Sequence, residues 1–196
     1  MNEFVETLLD LPWQSGGPKP AYDVVIIGAG GHGLATAYYL ATRHGITNVC
    51  VLDSSYIGAG NSGRNTTIIR SNYGIPESVR FYQHSLEMYQ QLEDETGCWI
   101  MHNTKGQIWM AHSVMTARTE QTRALMNAAM GAKTDFIGPD EVKRLCPQID
   151  ITGGGRYPVH GASYHHEGAT ARHDRVVWAY AQGALRAGVH VFQHTP

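Results

Sequence analysis

Asp23-Val-Val-Ile-Ile-Gly-Ala-Gly-Gly-His-Gly33 decides how the chain is read. A continuous apolar, largely β-branched run leads straight into glycines spaced G-x-G-x-x-G, and a strand of that kind, buried on both faces, belongs to a parallel sheet. The glycines differ in what they permit. Gly28 allows the tight turn, Gly30 lets the backbone approach a pyrophosphate, and Gly33 lets the next helix press on the strand. The helix N-terminus then offers unpaired N–H groups to the anion. Leu34 to His44 has a helical pattern in which Ala37 and Ala41 keep the inner face small, and Val49-Cys-Val-Leu-Asp53 reads as a second buried strand. Together they make one βαβ unit of about 30 residues. Asp53 stands 20 residues past Gly33, where a carboxylate accepts ribose hydroxyls and disfavours a 2′-phosphate. An ordinary Gly-rich turn followed by a solvated strand-end acid has similar letters. Strand, helix and acid in place together favour a dinucleotide, with FAD and NAD both open because the motif addresses only the ADP half.

Outward from this unit, Ser54 to Asn65 is a polar, glycine-rich loop at the strand edge where such sheets bind ligands. Pro76 opens a helix to Glu95, with Val79, Tyr82, Leu86, Tyr89 and Leu92 at three- and four-residue steps. Trp99 to His102 and Gln107 to Ala111 flank Asn103-Thr-Lys-Gly106, which predicts a hairpin. Helical patterns follow at Val114 to Met130 and Pro139 to Leu145, then short strands or loops between Ile151 and His165. Asp174 is placed to cap a helix running to Ala187, and Val189 to Gln193 reads as another strand. The sequence stops at Pro196 without the crossover a further parallel strand would feed, which predicts an incomplete chain.

Composition narrows the classes. With 196 residues, 42% hydrophobic and 16% charged, the chain can bury a sizeable core, against disorder, collagen or coiled coil. Fifteen Lys and Arg against 17 Asp and Glu give a net charge of −2, with no bulk positive field for nucleic acid or an anionic membrane. Cys50, Cys98 and Cys146 lack C-x-x-C spacing, so neither a disulfide framework nor a zinc ribbon is indicated, and a reducing cytoplasm fits. The N-terminus carries acids where a signal peptide needs bases, and no run of about 18 apolar residues predicts a transmembrane helix. Gln14 to Pro20 is rich in Gly and Pro, so Met1 to Ala21 reads as an arm over the body, able to touch a partner subunit.

Eleven histidines, with His165, His166 and His173 near Glu167, raise the question of a metal. No H-x-x-x-H or H-E-x-x-H pair places two ligands on one helix face, which argues against one. His173 reads as a polar residue near a helix N-terminus, and His32 as a solvent-facing side chain at a helix start. Arg64 and Arg70 flank Asn65-Thr-Thr-Ile-Ile69; one could clamp a carboxylate, or both could form surface salt bridges.

Four blocks carry a resemblance: Tyr22 to Leu40 around the glycines, Arg64-Asn-Thr-Thr-Ile-Ile-Arg-Ser-Asn-Tyr73, Arg156-Tyr-Pro158, and Arg172-His-Asp174 with Val177-Trp178. In register from about Trp13 onward, the chain resembles the β subunits of heterotetrameric sarcosine oxidases, within the wider amine and D-amino-acid oxidase family of flavoproteins. The resemblance implies an α/β fold: a Rossmann-like FAD-binding domain and the start of a mixed α+β substrate domain. The divisions expected are an arm at 1–21, an FAD-binding βαβ region at 22–97, a segment inserted towards the substrate domain at 98–165, and a return to the FAD-binding domain at 166–196. It implies non-covalent FAD at Gly28, Gly30, Gly31, His32, Gly33 and Asp53, with Asn61, Arg64, Thr66 and Ile68 near the flavin. It also implies FMN attached covalently through His173, and Arg70 binding the substrate carboxylate. The activity implied is oxidation of sarcosine to glycine. The imine is hydrolysed or passed to tetrahydrofolate, and electrons travel through FAD and FMN to oxygen, giving hydrogen peroxide in a complex with other sarcosine oxidase subunits. One departure is Asp53, where the family commonly carries Glu; another is length, since such proteins run to roughly twice this one. Competing readings are a related FAD-dependent dehydrogenase of proline, glycine or a D-amino acid, against which the His173 motif speaks, and a non-catalytic nucleotide-binding module.

Overall fold

The computed structural model describes residues 11–151 and 157–196. The first ten residues of the expected arm, and Arg156 of the Arg156-Tyr-Pro158 block, lie outside them. In chain order the elements are β1 (Val24–Ile27), α1 (Gly31–His44), β2 (Val49–Leu52), a 3-10 turn (Asn61–Arg64), β3 (Ile68–Ile69) and α2 (Pro76–Thr96). There follow β4 (Asn103–Thr104), β5 (Gln107–Ala111), α3 (Val114–Ala129), β6 (Thr134–Ile137), α4 (Pro139–Leu145), β7 (Gly161–His165), β8 (Ala169–Thr170), α5 (His173–Arg186) and β9 (His190–Phe192). Contacts group them into two units. Among the described residues, one comprises the chain from Leu11 to Thr67 with Gln91–Met101 and Ala171–Pro196; the other comprises Ile68–Gln90 and His102–Thr170. Ile68–Gln90, which the sequence places in the 22–97 region, thus packs with the second unit. Among the described residues no helix is long and apolar enough to cross a membrane.

The first unit is built on a parallel sheet in the order β1-β2-β9, with Val25 opposite Cys50 and Val51 opposite Val191. α1 buries Leu34, Ala37, Tyr38 and Ala41, so the two alanines read from the sequence as its inner face are buried, beside the larger Leu34 and Tyr38. It ends at Gly45, whose φ of +67° suits glycine, with Arg43 and His44 in its last turn facing the negative end of the helix dipole. α5 is buried almost all round and packs on α1 where Gly183 lies under Tyr38: a Cβ at Gly183 would come within 2.6 Å of that ring. The described part of the arm lies on this unit, Trp13 meeting Trp178 edge-on at 6.2 Å and Gln14 accepting the Val191 N–H at 3.2 Å. One expectation fails. β2 is buried on both faces, but Val25 and Ile27 of β1 are 52% and 80% exposed. β1 is an edge strand here, and α1 covers only the face that carries Ile26.

The second unit centres on an antiparallel sheet in the order β5-β7-β6. α3 starts in a reciprocal cap between Ser113 and Thr116. α4 opens on Pro139 and buries Val142 against Val159 and Ala162, with Ile108 and Ile137 packed around them. The hairpin predicted around Asn103–Gly106 does not form. β4 pairs with β8, which also pairs with β3, while β5 pairs with β7. Gly106 does turn the chain, at φ +80°, but its N–H and that of Lys105 go to the Gly168 carbonyl, so the two flanking strands enter different sheets.

Candidate functional site

β1 delivers the chain to Gly28, which turns at φ +104° and donates its N–H to the Leu52 carbonyl at 2.7 Å, joining the glycine loop to β2. At Gly33 a Cβ would overlap the Gly28 carbonyl oxygen and lie 3.3 Å from Ile26 Cγ2, so only glycine lets α1 sit this close to β1. The N-cap of α1 is Gly30, which has no side chain to satisfy the first turn, and no acidic residue lies in that turn. The N–H groups of its first turn that stay unpaired among the described residues can therefore hold a phosphate. Gly31 donates to Ser62 Oγ at 2.8 Å, a contact that the sequence reading missed; the only signal was a hydroxyl within the glycine-rich loop. As an acceptor, Ser62 keeps its own hydroxyl proton to offer an anion.

Asp53 sits half-buried at the end of β2, accepting the Ala29 N–H at Oδ2 (2.7 Å) and the Ser55 N–H at Oδ1 (2.8 Å). A carboxylate has about four lone-pair sites, so each oxygen can accept once more. The 54–65 loop folds back on itself, with Gly58 at φ +77° and a Cβ at Gly63 only 2.6 Å from the Gly58 carbonyl oxygen. It packs on α5 through Val177 and is tied to the end of β9 by the Ile57 N–H on Gln193 Oε1. Asn61, Arg64 and Thr66 are exposed along it, His32 is exposed on α1, and Arg64 forms no ion pair among the described residues.

His173 opens α5, half-buried, and its Nδ1 is shut from solvent without a hydrogen-bond partner among the described residues. The N-cap is Arg172 rather than Asp174. Asp174 is drawn off by the Arg172 guanidinium, Nε to Oδ1 at 3.0 Å and Nη2 to Oδ2 at 2.8 Å, which replaces the predicted cap. Burial works against the Asp174 charge, yet the Arg172 hydrogen bonds hold its carboxyl below the usual range.

In the second unit, Ile68 lines a cleft of about 350 Å³ with Asn103, Lys105, Gln107 and Thr170. Arg70 makes no salt bridge among the described residues. Its Nη1 donates to the Asn72 carbonyl at 3.0 Å and to Asn72 Oδ1 at 3.2 Å, and its Cζ lies 4.2 Å from the Tyr73 ring centroid and 5.2 Å from that of Trp109. Nε and Nη2, one planar fork, have no partner among the described residues. A fork between aromatic faces is suited to a carboxylate.

The chain is 44% identical to a sarcosine oxidase subunit beta from Arthrobacter sp over 182 residues, which are 93% of this chain and 45% of that one. Identity to a sarcosine oxidase subunit beta from Rhodobacter capsulatus is 43% over 183 residues, 93% of this chain and 44% of the relative. The crystal structure of L-proline dehydrogenase from P. horikoshii superposes with a TM-score of 0.81 at 25% sequence identity, covering 89% of this chain and 44% of the other. The chain spans less than half the length of these relatives. Residues 23–196 match the family described as FAD dependent oxidoreductase, and to that family the chain belongs.

Proposed function

We propose that this chain holds FAD at its glycine loop and serves in the flavin-dependent oxidation of sarcosine, alongside other subunits of a sarcosine oxidase. The observation that carries the reading is identity of 44% across 93% of the chain with a protein named as that subunit. Gly28, Gly30, Gly31 and Gly33 leave the N-terminus of α1 open for the pyrophosphate, with His32 in the same run. Asp53 has lone pairs left for the ribose, and Asn61, Arg64, Thr66 and Ile68 are assigned to the flavin. Arg70 holds the substrate carboxylate on its free fork. Bound FAD supplies a two-electron acceptor for the hydride leaving the amine, and FMN on His173 supplies the relay to oxygen that gives peroxide. The imine would be hydrolysed to glycine and formaldehyde, or give up its methylene carbon to tetrahydrofolate and leave glycine. The His173 ring supports attachment there, because its buried Nδ1 has no hydrogen-bond partner among the described residues and so no described protein group competes for that nitrogen. The unpaired thiols of Cys50, Cys98 and Cys146 favour a reducing, cytoplasmic setting.

The test uses the flavin-loaded complex with its partner subunits. Sarcosine added without oxygen is expected to bleach the flavin absorbance, and aerobic turnover to release peroxide. Bleaching by proline or glycine but not by sarcosine would replace this reading with a related amino-acid dehydrogenase. Denaturation, digestion and mass spectrometry are expected to find the flavin on the peptide containing His173; an unmodified peptide from a complex carrying both flavins would remove the FMN assignment.

A further inference from the structure

The second unit holds a buried polar network in which His165 is fully shielded from solvent on β7. Its Nδ1 lies 3.2 Å from the Lys133 carbonyl oxygen and 3.2 Å from Thr134 Oγ1. Its Nε2 accepts the Ser71 backbone N–H at 3.3 Å, with Ser71 Oγ at 3.2 Å. A carbonyl can only accept and a backbone N–H can only donate, so the ring is neutral, with its proton on Nδ1 and its lone pair turned to Ser71. Ser71 Oγ donates to Gln83 Oε1 at 2.7 Å, Gln83 Nε2 to Glu167 Oε2 at 3.3 Å, and Glu167 pairs with Lys133 at 3.1 Å. The circuit closes on the residue whose carbonyl holds Nδ1. Ser71 and Asn72 are both buried, and Asn72 is the residue that grips Arg70. From the His165 lone pair to the Arg70 guanidinium there are thus only the Ser71 N–H and the Asn72 carbonyl and amide.

We propose that His165 is a positioning residue which, by accepting the Ser71 N–H, fixes the Arg70–Asn72 backbone and aims the Arg70 fork at the substrate carboxylate. The proposal rests on the reading of Arg70 as the carboxylate clamp. Protonating Nε2 would set an N–H against the Ser71 N–H and release the segment. Burial holds the His165 pKa below its ordinary value; the Lys133 carbonyl and Glu167 oppose that shift, and His166 and Arg70 add to it.

The experiment compares H165N, H165Q and R70K in the flavin-loaded complex by KM and kcat for sarcosine, by flavin content, and by the Kd of propionate, a carboxylate without an amine. Asn reaches the Lys133 carbonyl but not Ser71, whereas the Gln carbonyl can stand where Nε2 stood. H165N is expected to raise KM and the propionate Kd about tenfold with kcat and flavin content within about twofold, and H165Q to stay within about threefold of native. Native KM is expected to rise in acid, below the ordinary histidine range, while H165Q, lacking a titratable ring, stays flat. Unchanged KM in H165N while R70K raises it overturns the positioning role; unchanged KM in R70K overturns the clamp itself. Joint loss of kcat, flavin and KM in H165N without rescue in H165Q makes His165 merely structural. Should H165N fail to assemble, a native-like acid rise of KM in H165Q overturns the proposal.

Discussion

Gly33→Ala tests the geometry of the glycine loop because helix propensity and packing pull in opposite directions there. Alanine favours a helix over glycine by about 1 kcal/mol, so on propensity alone the variant should be more stable. Position 33, however, puts the new Cβ into the Gly28 carbonyl oxygen, 3.2 Å from the Gly28 carbonyl carbon and 3.3 Å from Ile26 Cγ2. A backbone oxygen cannot swing aside like a side-chain tip. Relief requires α1 to move off β1, and overpacking of that kind costs about 1–3 kcal/mol, occasionally more. Placing this contact at the severe end leaves a net loss of about 2 kcal/mol, or a fall of about 4–8 °C in Tm. Gly31→Ala is the control, since its Cβ would meet only Ser62 Oγ at 3.4 Å, an ordinary contact. Thermal melting followed by circular dichroism, with flavin absorbance on the same samples, gives both readouts. G33A should melt lower and carry less flavin because the N–H groups of α1 move with the helix, while G31A melts no lower than native and up to about 4 °C higher. A G33A protein with native Tm and full flavin would refute the close-packing argument.

Gly30→Asp should abolish FAD binding, because a carboxylate at the helix N-cap repels the pyrophosphate and fills its space; a purified variant with native flavin absorbance would contradict this. Ser62→Ala should cost about 1 kcal/mol in urea titration of the apoprotein by leaving the Gly31 N–H unpaired, and less in the FAD-loaded protein, where a phosphate can take that N–H. Stability should also depend on pH through His165. Its folded pKa lies below the ordinary 6.5, so the unfolded chain binds the proton first; this contribution is fully present above about pH 6.5 and is lost as pH falls towards the folded value. Urea midpoints measured from pH 7.5 to 5 should show that slope in the native protein and a shallower one in H165Q.

The glycine loop was legible because its chemistry is local: strand, turn and helix follow one another in sequence, and Gly33 needs no distant partner to be read. What failed depended on the rest of the fold. The hairpin around Gly106 was predicted from a real turn, but turn residues do not say which strands will pair, and the partner of β4 is β8, far along the chain. Asp174 looked like a helix cap because Asp is a strong capping residue; it lost that role to a guanidinium two residues away that binds both its oxygens. β1 read as doubly buried from its apolar run, yet burial depends on what covers the other face, which composition alone does not reveal. The His165 network was invisible for the same reason, since Ser71 and Thr134 lie 94 and 31 residues from it.

Asp53 shows how a departure from the expected residue can be absorbed by geometry. The resemblance leads one to expect Glu here, whose extra methylene would carry the carboxylate further from the strand end. With Asp the carboxylate stays near the strand end, and there it takes the Ala29 N–H from the glycine loop and the Ser55 N–H from the loop after β2. Such charge-assisted bonds are shorter and stronger than neutral ones, and they pin the two loops that frame the N-terminus of α1. A ribose bound here would share a carboxylate that is already held rather than meet a free one. The shorter acid thus trades reach for rigidity: fewer lone pairs would remain for a ligand, but a pyrophosphate bound as proposed would meet loops already held by Asp53, which would lower the entropy lost on binding.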